Sequence, residues 1–167
     1  MRRAPKKLTA AEALARLESL CAKAEHCSWE MRMKMRQWGI LAADADRIIK
    51  ELEKNGFVND ERFARSLVRD RYRRARWGRL KIRAALAAKR VPGWMIEEAL
   101  TEIEDDLYQA MLDAVLRAKV RQLSEEARTY DGRTKLFRHA ASRGYELSLI
   151  ASRIKDAGFW RSLREED

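Results

Sequence analysis

Glycine and proline are scarce here, seven and two among 167 residues, and both disrupt the interior of a helix. Their shortage, with little period-two alternation, argues against a turn-rich β architecture. Cysteine is nearly absent. Cys21 and Cys27 are too few for a disulfide scaffold and fit a reducing compartment. No run of about 18 apolar residues exists to span a bilayer. The opening residues 1–10 carry Arg2, Arg3, Lys6 and Lys7 but lack the apolar stretch of a secretory signal. These absences point to a cytoplasmic protein without a membrane partner.

Catalytic constellations are missing too. Cys21-x4-His26-Cys27 supplies three possible metal ligands, but at no common zinc spacing and with no evident fourth. Cys21 suits a buried helix face and His26 the following turn. His139 has no obvious carboxylate to orient it, and no glycine-rich phosphate loop occurs. The expectation is a binding protein, not an enzyme, with no cofactor and no metal.

What remains is helical. Ala, Leu, Arg, Lys and Glu dominate, and apolar residues recur three and four apart. The first helix is expected over about 11–24, capped by Thr9. A second starts near Ser28 as its cap and ends at Gly39, and a third covers 43–54 before Asn55-Gly56. Further helices are expected from Asn59 or Asp60 to about Arg76, over 79–89, and from Pro92 to about Ile103. A last set runs from near Asp105 through Val120, then over 133–142 and 146–157.

The three sets share a register. Met31, Met35, Ile40, Ile49 and Leu52 are followed 51 positions later by Ile82, Leu86, Val91, Leu100 and Ile103. A further 54 positions bring Leu136, Ala140, Tyr145, Ile154 and Ala157. The fold class expected is therefore all-α, with three tandem three-helix, helix-turn-helix-like repeats in an elongated, curved arrangement. The domains would be a basic N-terminal segment (1–10), repeats over 11–56, 57–105 and 106–158, and a C-terminal tail (159–167), frayed over its last four residues.

The formal net charge is +10, and the excess is concentrated between Arg62 and Arg90. At about 100° per residue, Arg62, Arg65, Arg69, Arg73 and Arg76 fall on one strip of a single helix. Such closely spaced like charges repel unless an anion or a carboxylate intervenes. Arg79 and Arg83 border an apolar stripe, Lys81 faces solvent, and Lys89 and Arg90 extend the basic stretch. Trp77, inside Arg76-Trp77-Gly78-Arg79, is a candidate to stack on a base. The partner is either nucleic acid or an acidic protein surface, since the arginine fork suits phosphate and carboxylate alike. The sign then reverses through Glu97, Glu98, Glu102, Glu104, Asp105 and Asp106, which are able to pair with basic residues of a neighbouring unit.

One segment carries a resemblance. Leu52-x3-Gly56-Phe57-Val58-x-Asp60-Glu61-Arg62-Phe63-Ala64-x-Ser66-x-Val68-x-Asp70-Arg71, continuing through Gly78, Ile82 and Leu86, resembles the RecX family. Cys27-Ser28-x-Glu30-x5-Arg36-x2-Gly39-Ile40 also fits that family's first unit. The single glycine of Trp77-Gly78-Arg79-Leu80-Lys81, and Pro92-Gly93 after Val91, depart from the family's turns. The resemblance implies a non-enzymatic modulator, mainly an inhibitor, of the RecA recombinase. Such a protein binds the RecA–DNA filament, with single-stranded or duplex DNA in that context, and suppresses ATP hydrolysis, strand exchange and filament growth. It would be monomeric when free. The alternative left open is a helical DNA-binding protein or transcriptional regulator acting without RecA.

Overall fold

The computed structural model describes residues 8–163. The basic residues before position 8 and the last four residues of the tail lie outside that range. The fold is all-α, with ten α-helices and one short 3-10 helix among the described residues. In chain order they are α1 (Ala10–Cys21), α2 (Ser28–Gln37), α3 (Ala42–Lys54), α4 (Asp60–Arg73), α5 (Arg79–Ala88) and α6 (Gly93–Leu100). Then come α7 (Asp105–Leu123), the 3-10 helix (Ser124–Arg128), α8 (Tyr130–Ser142), α9 (Leu147–Lys155) and α10 (Ala157–Ser162).

The register read from the sequence is the register of burial. Of the fifteen positions compared, all are buried except Ile40, which is half-buried, and Ala157, which is exposed. Ala157 fails because it opens α10, an added helix whose Phe159 and Trp160 are buried where the sequence reading placed a tail. The buried Trp160 indole donates from Nε1 to the Ile154 carbonyl at 2.8 Å, satisfying its one polar atom.

The turn between the second and third helix of each set is the same structure built three times. Ile40, Val91 and Tyr145 donate their N–H to the carbonyls of Met35, Leu86 and Ala140, five residues back. The residues before them, Gly39, Arg90 and Gly144, donate three residues back and have φ of 73°, 56° and 89°. This paired closure ends a helix by placing one residue in the left-handed region, where a side chain costs about 1–2 kcal/mol. Only the middle turn carries a side chain there. Arg90→Gly is therefore expected to raise stability by about 1 kcal/mol. A urea-unfolding midpoint that stays put or falls would argue against this account of the turn.

The chain divides into two compact units, one of residues 1–66 and 86–99, the other of 67–85 and 100–167. The first has its core in Ala13, Leu17, Met31, Met35, Ile48, Ile49 and Leu52. Cys21 packs against it, its thiol 3.7 Å from the Met31 sulfur, and Cys27 is buried. Burial pushes both thiols above their ordinary range.

The Asp-Glu-Arg-Phe-Ala segment earns its place in this first unit. Asn59 caps α4, its side chain accepting from the Arg62 N–H at 2.8 Å. Asp60 reaches away from its own helix and accepts from the Ser28 N–H at 2.7 Å and the Ser28 hydroxyl at 2.6 Å. Ser28 was expected to cap α2 itself; instead it is the first residue of α2, and the cap comes from Asp60. Phe63 and Ala64 turn inward. Arg62 closes the clasp, donating to Glu25 at 2.6 Å and to the Gly56 carbonyl at 3.1 Å. Asp60→Ala removes both charge-assisted bonds to Ser28 and should cost about 2 kcal/mol of unfolding free energy. An unchanged thermal midpoint would show that the clasp adds nothing.

In the second unit the approach of two backbones is unusually close. Gly78 donates its N–H to the Arg143 carbonyl at 2.8 Å, and Leu80 donates to the Gly144 carbonyl at 3.0 Å. A Cβ on Gly78 would overlap the Gly144 carbonyl and the Tyr145 amide nitrogen, and one on Gly144 would overlap Lys81. Beside this crossing Tyr108 and Tyr145 stack with ring centroids 5.1 Å apart. The Tyr108 hydroxyl accepts from the Arg79 N–H at 2.9 Å and donates to Glu146 at 2.7 Å.

Candidate interface for a polyanionic partner

The arginine ladder is real as far as Arg73, but it is not a row of free charges. Arg62 pairs with Glu25. Arg65 pairs with Glu61 at 3.0 Å, one turn back, and with Glu98 at 2.7 Å. Arg69 pairs with Glu102 at 3.2 Å. Glu98 and Glu102 each lie 33 residues on from their partners, so two members of the acidic stretch face the ladder. These carboxylates remove the like-charge repulsion that made the strip look like a docking site. Half-exposed pairs of this kind add little stability, but they place counter-charge beside each guanidinium.

Arg76 leaves the strip. Helix α4 ends at Arg73, and Arg76 stands beyond it, exposed, with φ of 53°. Nothing at 74–76 announces that stop, since neither glycine nor proline stands there. It is dictated by the connection. Trp77 donates its N–H to the Arg71 carbonyl at 3.1 Å, and Gly78 must reach the Arg143 carbonyl. The Arg76 carbonyl accepts from the Tyr145 hydroxyl at 3.2 Å, which holds the residue in place with its side chain outward. Burial pushes that phenol up to about 12, so it remains a donor throughout the neutral range.

Other predicted site residues are occupied internally. Arg79 lies over the Tyr108 ring at 4.2 Å, donates to the Ile103 carbonyl at 2.8 Å and pairs with Asp105 at 2.7 Å. Lys81 does not face open solvent as expected. It is half-buried, lies 4.6 Å from the centre of the Trp77 ring and donates to the Ser142 carbonyl at 3.3 Å. Arg83 is half-buried and engaged. Lys89 pairs with Glu30, which also meets His26 at 2.9 Å. Burial raises the Glu30 pKa, but the Lys89 and His26 hydrogen bonds outweigh it and hold the carboxyl below its ordinary value. Arg90 is exposed at its turn.

What the structure brings together is a smaller cluster in the second unit. Arg71 lies 5.0 Å from the Trp77 ring centre, and Lys81 is the ring's second cation. Trp77 is thus a half-buried clasp for two cations, and a base could stack on it only by displacing one of them. Arg143 donates to the Ala75 carbonyl at 3.0 Å. Arg73 lies exposed at the end of α4, its Nε donating to the Tyr72 hydroxyl at 2.9 Å. Among the described residues Arg73, Arg76, Lys81 and Arg143 form no ion pair with a carboxylate. Burial first, then the charges of Arg143 and Lys119, push the His139 pKa below its ordinary value. Sequence reasoning missed Arg71 and Arg143. The signal available for Arg143 was Gly144, which falls at the turn position shared by Gly39 and Arg90.

No group of three or more His, Cys, Asp or Glu side chains among the described residues is arranged to hold a metal ion. Nor, among those residues, is any helix long and apolar enough to cross a membrane.

Comparison with known proteins places this architecture. Residues 59–100, the stretch from the Asn59 cap to the end of α6, match the family model described as the second three-helix domain of RecX. The regulatory protein RecX of Thermus thermophilus is 32% identical over 158 residues, covering 93% of this chain and 94% of that one. That of Geobacillus kaustophilus is 29% identical over 137 residues, 81% of this chain but only 49% of that longer protein. The crystal structure of RecX from Lactobacillus salivarius superposes with a TM-score of 0.77, covering 93% of this chain and 96% of that one, at 18% identity. The fold is shared well beyond the level at which the sequences agree. With the three-helix sets, the Asp60–Ser28 clasp and the matched middle segment all in hand, the chain belongs to the RecX family of regulatory proteins.

Proposed function

We propose that this chain is a non-enzymatic regulator of the RecA recombinase. It acts in the cytoplasm as a monomer that binds the RecA–DNA filament and lowers its ATP hydrolysis, strand exchange and growth. Family membership supports this reading, and the observation that carries it to particular residues is the distribution of unpaired cations. The matched segment, 59–100, is also the most basic part of the chain. Within it the ladder at Arg62, Arg65 and Arg69 is neutralised by the protein's own carboxylates.

The contact is therefore assigned to the stretch from Arg73 through Arg76 to Lys81, joined by Arg143. An exposed guanidinium at the end of a helix, followed by another on a rigid turn, suits phosphate or carboxylate oxygens on a repetitive anionic assembly. Neighbouring positive charge strengthens that preference. Such binding suppresses hydrolysis by holding or blocking filament subunits, and needs no chemistry from the regulator itself.

The direct test is co-sedimentation with RecA assembled on single-stranded DNA in the presence of a non-hydrolysable ATP analogue. The protein should pellet with filaments and remain in the supernatant with RecA alone. Failure to pellet, together with a salt-resistant preference for one duplex sequence in the absence of RecA, would transfer the assignment to a DNA-binding regulator.

A further inference from the structure

Away from the middle segment, α8 and α9 enclose an open groove of about 430 Å³. Its apolar lining comes from Tyr130, Phe137, Ala151 and Ile154. Three cations share the lining: Arg133, Arg138 and Lys155. None of these three forms an ion pair with a carboxylate among the described residues. Arg133 is the only one with a contact to name, over the Trp160 ring at 5.4 Å. Tyr130 is 85% exposed, an unusual state for a large ring that makes no hydrogen bond through its hydroxyl among the described residues.

This is the reverse of the arrangement on α4. There the folded chain supplies a carboxylate to each of three arginines; here it leaves the cations unpaired around an apolar floor. Of the groove's two hydroxyl-bearing residues, Tyr130 and Thr134, the latter already donates to the Tyr130 carbonyl at 3.0 Å. Little inside it is equipped to read the edge of a nucleobase, which needs paired donors and acceptors. Its apolar floor suits a large apolar side chain, and its rim suits flanking carboxylates.

We infer that the α8–α9 groove docks an acidic segment of a partner protein, which inserts one aromatic or aliphatic side chain between Tyr130 and Phe137 and places its carboxylates against Arg138 and Lys155. The groove shares no lining residue with the turn proposed above to meet the filament, and the two assignments are tested by different variants.

The test uses the full chain and a fluorescently labelled synthetic peptide of Glu and Asp residues with one central Phe. Two competitors accompany it: the same peptide with Ser in place of that Phe, and a thymidine oligonucleotide of equal charge. Anisotropy should report saturable binding of the labelled peptide, and the Ser peptide should compete at least tenfold less well. The double variant Arg138→Glu, Lys155→Glu changes two exposed residues and should retain its helicity while binding at least tenfold more weakly. The oligonucleotide should compete poorly, and its residual effect should be the same in the double variant. Equal binding by wild type and double variant would overturn the proposal, as would equal competition by the Ser peptide. An oligonucleotide that displaces the peptide from the wild type but not from the double variant would assign the groove to nucleic acid instead.

Discussion

Gly78→Ala is expected to be a severely damaging small substitution, lowering unfolding free energy by about 4 kcal/mol. The added Cβ has no room, because it would overlap the Gly144 carbonyl and the Tyr145 amide, both backbone atoms that no rotamer change can move. Relief requires the two segments to part. That sacrifices the bonds from Gly78 to Arg143 and from Leu80 to Gly144, beneath the stacked Tyr108 and Tyr145. Overpacking costs of about 1–3 kcal/mol then add to about 1 kcal/mol for each weakened bond. Gly144→Ala should be equally severe, since its Cβ would meet Lys81 and its φ of 89° disfavours any side chain. Gly39→Ala is the matched control. Its φ is 73° but nothing lies within 4 Å of the added carbon, so only the conformational cost of about 1 kcal/mol applies. Urea unfolding of the three variants separates the effects. Comparable losses for Gly78→Ala and Gly39→Ala would mean that the crossing is looser than described.

The second large effect concerns binding. The double variant Arg73→Glu, Arg76→Glu should weaken filament engagement at least tenfold, while losing about 1 kcal/mol of stability, because Arg73 gives up its bond to the buried Tyr72 hydroxyl. Both side chains are exposed, and among the described residues neither forms an ion pair with a carboxylate. Arg65→Glu should behave in the opposite way. It sets a carboxylate beside Glu61 and Glu98, so its loss should fall on stability before it falls on affinity. The pair of variants is best read by filament co-sedimentation alongside thermal unfolding. If Arg65→Glu abolished binding in a fully stable protein while Arg73→Glu, Arg76→Glu did not, the ladder would be the contact after all.

That contrast also shows what was legible in the sequence. Apolar spacing reports burial directly, so the positions matched at 51 and 54 residues were recovered almost without exception. Glycine reports backbone conformation, so the ends of α2 and α3 were visible at Gly39 and Gly56. Charge spacing reports only which residues share a face, not what stands opposite. The helical strip at Arg62, Arg65, Arg69 and Arg73 was therefore read correctly as geometry, while its neutralisation by Glu25, Glu98 and Glu102 depended on long-range packing. Arg76 left the strip for the same kind of reason: its turn is shaped by Tyr145 and Arg143, some 68 residues away along the chain. Asp60 illustrates the point from the other side. A helix-opening aspartate looks like a local cap, yet it is used on Ser28, 32 residues earlier. Phe159 and Trp160 were assigned to the tail because the repeat register had run out before them, although two adjacent aromatic residues were a usable sign of a further buried turn.

The identifying segment and the proposed contact therefore differ in kind. Asp60, Arg62, Phe63 and Ala64 assemble the first unit, whereas Arg73, Arg76, Lys81 and Arg143 form no ion pair with a carboxylate among the described residues and are the ones proposed to meet a partner.

Whether those cations govern a recombinase is decided most directly by the rate of ATP hydrolysis by RecA on single-stranded DNA, titrated with this protein and with the Arg73→Glu, Arg76→Glu variant. The wild type should depress the rate in a saturable way, and the variant should need at least ten times the concentration. A hydrolysis rate that stays level at saturating, fully folded protein would contradict the assignment.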